Sequence, residues 1–355
     1  MQNIFLESHN VKNPNNGFGQ FNYHLIKGLY HANIADFKMT LHAKDTSPLK
    51  KEFGDYFKYK TYRSISRQPL FRIRTKYDVW HSLNQNIKIE PHHNIPYILT
   101  VHDVNFIDEV SSDLNHETNK RFIEKLNRSN AITYISEYAK ASTHKYFDVP
   151  NVPEHVIYNG NPMRMLLETE TYPVKPKTNR PYLFFIGALN ARKNVHTLVE
   201  MLELLPDYDL ILAGHHTSNY AKTTLAKAIA KTKTEQRVHI VGTINTIEKQ
   251  YYLQNCAAFV FPSLLEGFGI PPIEAMRFGK PVFLSNLTSL PEIGGEYAFY
   301  WDNFDPEHMK TVFENGMHTY ETNKTEYTSV YIERANSFNW NTAALEYAKV
   351  YRSLF

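Results

Sequence analysis

The sequence predicts an α/β protein of two doubly wound domains with parallel sheets. Three observations carry this. Short apolar, strand-like runs alternate with helical patterns in two successive series, a polar proline-rich stretch separates the series, and 355 residues suit two domains.

In the first series, Asn3-Ile-Phe-Leu6 reads as a strand. An Asn/Gly loop follows, Asn13 to Gly19, and then a helix from Gln20 to Tyr30 with Phe21, Leu25 and Leu29 on one face. Asp78–His81, Pro96–Val101 and Ala131–Ile135 are buried-strand candidates, with a helix from about Glu137. Val156-Ile-Tyr158 closes the series. Residues 168–181 are polar with three prolines and form the expected linker. The second series runs strand Tyr182–Ile186, helix Val195–Leu205, strand Tyr208–Ala213 and helix Tyr220–Lys231. It continues with strands Val238–Val241 and Ala257–Phe261, helix Pro272–Phe278 and strand Pro281–Leu284. The expected division is 1–167, linker 168–181, 182–340, and a final helix in 341–355. In such folds ligands meet the carboxyl ends of the strands, here in a cleft between domains.

Composition narrows the function classes. With 42% apolar and 14% aromatic residues, the chain can build real cores. Its one cysteine, Cys256, excludes an internal disulfide and a cysteine zinc cluster. Apolar runs fall far short of the ~20 residues of a membrane span, and the N-terminus has no signal-peptide pattern. A soluble, cytoplasmic protein is expected. A net charge of +3 does not point to nucleic acid. The stretch Lys44–Lys76, however, carries ten Lys/Arg against three acids, interleaved with aromatics. It reads either as a solvated basic face or as a patch for anionic headgroups or an anionic acceptor, peripheral at a membrane.

The most informative segment is Pro262-Ser-Leu-Leu-Glu-Gly-Phe-Gly-Ile-Pro-Pro-Ile-Glu-Ala-Met276. It follows a strand and opens a helix. Gly267 and Gly269 let backbone N–H groups approach a ligand, and the prolines suit a first turn. Glu266 and Glu274 flank the turn and can accept from hydroxyl pairs on a sugar or ribose. Such a turn suits an anionic or polyhydroxylated ligand.

The form E-G-F-G-I-P-P-I-E-A resembles the signature of family 4 retaining glycosyltransferases, whose GT-B fold has two facing Rossmann-like domains. Six further segments stand in that family's order: Thr100-Val-His-Asp103, Tyr134–Lys140, Val156-Ile-Tyr-Asn-Gly160, Phe185–Asn194, Thr288–Glu292 and Phe338-Asn-Trp340. The pattern is most similar to mannosyltransferases of bacterial polysaccharide assembly.

The resemblance implies a role for each site residue. Arg192 and Lys193 would hold the leaving diphosphate, as their charge suits. Leu189 departs from the family, many members having arginine there. Glu274 would hold the nucleotide ribose. Glu266 and the backbone of Gly267, Phe268, Gly269 and Ile270 would hold the donor sugar, and Gly242, Thr243 and Ile244 would lie beside the base. Gly17 and Gly19 would approach the diphosphate, although Gly17–Asn22 alone is a poor dinucleotide fingerprint. His102 would approach the donor sugar, and Asp103 would orient His102 or bind acceptor. The C-terminal segment after Trp340 would pack back across the domain junction.

Two patterns are discounted. Asp207-Tyr-Asp209 resembles a D-x-D metal motif but precedes a strand, so its acids read as loop residues. The pairs His92-His93 and His215-His216 point opposite ways on extended chain. No metal and no cofactor is expected beyond the nucleotide-sugar donor. The expected activity is retaining transfer of a hexose, first mannose from GDP-mannose, to a saccharide or lipid-linked acceptor. The alternatives are a UDP-hexose donor, a non-catalytic carbohydrate-binding scaffold, or an epimerase or phosphorylase on the same fold.

Overall fold

A computed structural model of the chain describes residues 1–13, 16–163, 165–169, 172–173 and 178–355. Residues 14–15 of the Asn/Gly loop and 170–171 and 174–177 of the expected linker lie outside the described residues. The chain divides into two compact units, residues 1–162 with 339–355, and residues 163–338.

The first unit is a seven-stranded parallel sheet. Its strands are β1 (Gln2–Glu7), β2 (Phe37–Ala43), β3 (Lys58–Thr61), β4 (Val79–Ser82), β5 (Tyr97–Val101), β6 (Ala131–Tyr134) and β7 (Glu154–Val156), in the order β3-β2-β1-β4-β5-β6-β7. The central strands β4, β5 and β6 are buried along their whole length, as helices on both faces of a parallel sheet require. The edge strand β3, Lys-Tyr-Lys-Thr, is polar and largely exposed, which guards an open edge against pairing. It is formed by the basic stretch, which also supplies the helix Ser47–Phe53 and two short turns over Ser64–Phe71.

The second unit is a six-stranded parallel sheet of β8 (Tyr182–Ile186), β9 (Asp209–Ala213), β10 (Val238–Gly242), β11 (Ala258–Phe261), β12 (Val282–Ser285) and β13 (Phe299–Trp301). The order is β10-β9-β8-β11-β12-β13. Each sheet reverses its strand order beside its first strand, the switch that opens a crevice at the strands' carboxyl ends.

The first unit ends at Pro162 and resumes at Asn339. Met163 is buried in the core of the second unit, and Leu167 N donates to Gln250 Oε1 at 2.8 Å, so the segment before residue 168 belongs there. At the other end, the helix Trp340–Arg352 belongs to the first unit. It lies against the helix Gly17–His31, where a Cβ on Gly28 would stand 2.4 Å from the Trp340 carbonyl oxygen. Tyr351 OH meets His81 Nδ1 at 2.9 Å, while His81 Nε2 meets Thr100 Oγ1 at 2.7 Å. Gly160 is tighter still: a Cβ there would lie 2.2 Å from Trp340 N and 2.5 Å from its indole.

Gly160→Ala therefore overpacks the seat of the last helix. It should destabilise the first unit by about 1–3 kcal/mol, read as a lower urea midpoint with unchanged slope. An unchanged midpoint would mean the helix shifts freely.

Candidate functional site

In the second unit, three neighbouring strands end on interlocked glycines. Gly187 follows β8, Gly214 follows β9 and Gly242 ends β10. Gly187 N donates to Ala213 O at 2.9 Å and Gly214 N to Gly242 O at 2.7 Å. Gly214 has φ +134°, and a Cβ on it would fall 1.9 Å from Gly187 O. The end of β9 is thus closed to a side chain at Gly214.

Beyond β8 the chain makes a short turn, Ala191–Lys193. Asn190 caps it by accepting from Lys193 N at 3.2 Å, and Asn194 leaves it at φ +56°. This turn delivers two cations to one carboxylate. Lys193 is buried, its Nζ hydrogen-bonded to Glu266 Oε1 and 4.6 Å from the Phe261 ring centroid. Arg192 Nη1 donates to Leu265 O and stands 3.5 Å from Glu266 Oε2. Ser263 Oγ donates to Glu266 Oε1 at 2.6 Å. Burial pushes the Lys193 pKa down and Arg192 adds to this, while Glu266 opposes both; the result is a lowered value. Burial pushes Glu266 up, but Lys193, Arg192 and the Ser263 hydroxyl outweigh it and hold the carboxyl below its ordinary value. The lowered Glu266 pKa favours the carboxylate anion beside Lys193 and Arg192.

The loop after Glu266 is held by the segment that begins at Thr288. Glu266 N donates to Thr288 Oγ1 at 3.2 Å, and Ser289 Oγ donates to Glu266 O at 3.0 Å and Phe268 O at 2.7 Å. Gly269, at φ +113°, precedes the helix Ile270–Met276. Phe268 is buried with its ring edge-on to Phe338, so its side chain packs and only its backbone can face a ligand. Glu274 is buried and accepts from Lys249 Nζ at 2.6 Å. Lys249 lies in the helix Thr246–Asn255, which follows Gly242, Thr243 and Ile244 and is capped by Asn245.

Leu189, the departure from the family pattern, is fully buried in the core. Arg192 is the guanidinium beside Glu266. Asp209 is the first residue of β9, within the expected strand Tyr208–Ala213 and not in the loop that the D-x-D reading gave it. It is buried and accepts from Thr178 Oγ1 at 2.5 Å, with His239 Nε2 3.0 Å away. Its carboxylate is taken up by these two partners at the start of the strand. Among the described residues no group of three His, Cys, Asp or Glu could hold a metal.

In the first unit, His102 follows β5. Its Nε2 lies 2.9 Å from Leu83 O, and Phe18 and Phe21 pack edge-on to the ring. A carbonyl can only accept, so Nε2 carries the proton and Nδ1 is the acceptor nitrogen. Burial lowers the His102 pKa to about 4 against the pull of Leu83 O, so the ring is neutral at pH 7. Gln85 bridges the segment, its Oε1 accepting from His102 N at 3.1 Å and its Nε2 donating to Asp103 O at 2.8 Å. Asp103 Oδ1 accepts from Asn105 N at 3.1 Å. Gly17 opens the first helix. Gly19 N donates to Asn16 Oδ1 at 2.7 Å, and a Cβ there would lie 1.8 Å from Asn13 O, so local packing alone requires that glycine.

The structure thus brings Arg192, Lys193 and Glu266 into one cluster and gives Glu274 a separate partner. Sequence reasoning missed Ser263, Asn190 and Lys249. An Asn three residues before Lys193 is a capping signal. Nothing in sequence marks Lys249.

Comparisons with known proteins agree with this architecture. Residues 168–325 match the family model described as glycosyl transferases group 1, and residues 40–162 match Glycosyltransferase Family 4. The O-antigen chain mannosyltransferase B of Escherichia coli is 22% identical, over 99% of this chain and 100% of that protein. The O-antigen chain mannosyltransferase RfbU of Salmonella typhimurium is 27% identical over 65% of each. Among solved structures, Anabaena HepE in complex with UDP and glucose superposes with TM-score 0.70 at 16% identity, covering 99% of this chain and 100% of HepE. A Rickettsia africae glycosyltransferase gives 0.75 at 15%, covering 99% and 98%. Fold and family models together define a glycosyltransferase of GT-B type. Residues 40–162 are of the Glycosyltransferase Family 4 type and residues 168–325 of the group 1 type.

The buried neutral His102 sets a pH dependence. Its folded pKa lies below the unfolded value near 6.5, so the unfolded chain binds the proton first. The contribution is complete above about pH 6.5 and is lost as pH falls toward about 4. Its share is up to about 3 kcal/mol. His102→Gln should flatten the urea stability–pH slope in this window, and an unchanged slope would contradict a neutral buried ring.

Proposed function

We propose that the protein is a retaining hexosyltransferase of polysaccharide assembly. It moves a hexose from a nucleotide diphosphate sugar to a saccharide or lipid-linked saccharide acceptor. The observation that carries this is the Arg192–Lys193–Glu266 cluster beside the glycine-closed end of β9. In the reaction the bond from the anomeric carbon to the diphosphate breaks and a bond to the acceptor oxygen forms. The acceptor proton passes to the departing diphosphate oxygen on the same face. Negative charge grows on that diphosphate, and fixed cations stabilise it most where they need no reorganisation. Glu266 fixes the Lys193 ammonium in advance, and Ser263 fixes Glu266. Glu274 receives the ribose hydroxyls. No metal takes part.

Mannose from GDP-mannose is the first donor reading, because the relatives across the chain are named mannosyltransferases. UDP-hexose is the second, favoured by the UDP-glucose complex of HepE. The first unit would serve the acceptor, and its basic stretch would bring the enzyme to an anionic membrane.

A thermal-shift panel of GDP, UDP, ADP, CDP and dTDP without metal tests the donor class. A ligand at 100 times its Kd stabilises by about 2.7 kcal/mol, so one nucleotide should stand out. No response to any of them would contradict the site. Lys193→Ala and Glu274→Ala should each lower the transfer rate by about 10²–10³, Lys193→Ala with a lowered melting temperature because buried Glu266 loses its partner, and near-normal rates would remove both from the site. The product anomer, read by NMR, decides retention. Activity lost in chelator and restored by magnesium would overturn the metal-free reading.

A further inference from the structure

A charged cavity of about 510 Å3 lies wholly within the first unit. The turns over Ser64–Phe71, the segment after β4 and the helix Glu117–Arg128 form its walls. Six cations line it: Arg67, Arg72, Lys88, Arg121, Lys125 and Arg128.

The acids that face them do not balance the charge. Glu90 is shared, its Oε1 3.0 Å from the buried Lys125 Nζ and its Oε2 2.9 Å from Arg128 Nη1. Glu117 is shared in the same way by Lys88 Nζ, at 3.1 Å, and Arg121. Glu124 is the remaining acid of the lining. Among the described residues, neither Arg67 nor Arg72 has a carboxylate within ion-pair distance; Arg67 stands over the Tyr62 ring at 5.7 Å. Three carboxylates thus face six cations. A concave surface with that surplus suits a multiply charged anion, and guanidinium forks match phosphate oxygens in pairs.

A second observation indicates where the anion comes from. The turns that supply Arg67 and Arg72 also expose large apolar side chains. Leu70 is 81% exposed, Phe71 52% and Ile65 49%. Single exposed apolar residues are ordinary. Three within seven residues, between arginines, form the pattern of a segment that enters the headgroup–acyl boundary.

We propose that this cavity binds the phosphate of a membrane lipid headgroup, with Ile65, Leu70 and Phe71 inserted beside it. The proposal deepens the membrane contact suggested above. It does not involve the donor site, and its test uses no nucleotide, so either can fail alone.

The test is flotation with phosphatidylcholine vesicles doped with phosphatidic acid, compared with vesicles doped with oleate to the same surface charge. The protein should bind the phosphatidic acid vesicles more tightly. The R67Q/R72Q double variant changes side chains without carboxylate partners and should melt normally. It should bind them at least about tenfold more weakly, the loss expected from one charged hydrogen bond. The L70S/F71S double variant should lose flotation but keep the wild-type heat of inorganic pyrophosphate binding. R67Q/R72Q should lower that heat, whatever the second unit contributes. Equal binding to both vesicle types, or undiminished binding by R67Q/R72Q, would overturn the phosphate site. Pyrophosphate binding that depends on Arg67 and Arg72 without vesicle binding would overturn the membrane source.

Discussion

The buried contact between Lys193 and Glu266 is the constraint around which the second unit's site is arranged. A lone ammonium or carboxylate at this depth would cost several kcal/mol. Each is tolerable because the other is there, and because Ser263 and Arg192 complete the shell. That requirement explains the local backbone. Asn190 and Asn194 bend the chain into a turn short enough to present both cations. The Leu264 N–H closes on the Arg192 carbonyl at 2.8 Å and brings the two strand exits together.

The same cluster explains why the glycine loop has a defined shape without a regular element of its own. Glu266 anchors its start through the side chain, and Thr288 and Ser289 hold its backbone. Gly269 then turns into the helix at a φ that a side chain would strain, with Leu290 packed where a Cβ would go. A phosphate or sugar approaching these groups meets positions already fixed by protein contacts, which reduces the ordering cost of binding.

Most central strands were legible because a parallel sheet covered on both faces demands continuous apolar runs. Tyr182–Ile186 and Ala258–Phe261 are such runs. Strand β2 was not, because its buried positions include Thr40 and His42, whose partners lie elsewhere in the chain. The edge strand β3 was hidden for the opposite reason: with one side open, it needs no apolar run. At the site, the identities of Arg192, Lys193, Glu266 and Glu274 could be read from motif order. Their partners could not. The Arg192–Glu266 contact spans more than seventy residues of chain, and Lys249 reaches Glu274 from a helix whose capping box marks its start but not that contact. The imbalance of the first unit's cavity was legible only in part, since the basic stretch supplies Arg67 and Arg72 while Lys88 and the helix Glu117–Arg128 supply the rest.

The helix Trp340–Arg352 gives the two units different histories during synthesis. The second unit is one uninterrupted stretch of chain, residues 163–338, and all its strands are available once that stretch has emerged. The first unit has all seven strands earlier, yet Gly28, Gly160 and His81 still await the helix that packs on them. Domains usually mature in the order in which they leave the ribosome. Here the half that is made first is finished only after the second unit's stretch has emerged, and its nascent form must keep the seat for Trp340 open until residues 339–355 follow.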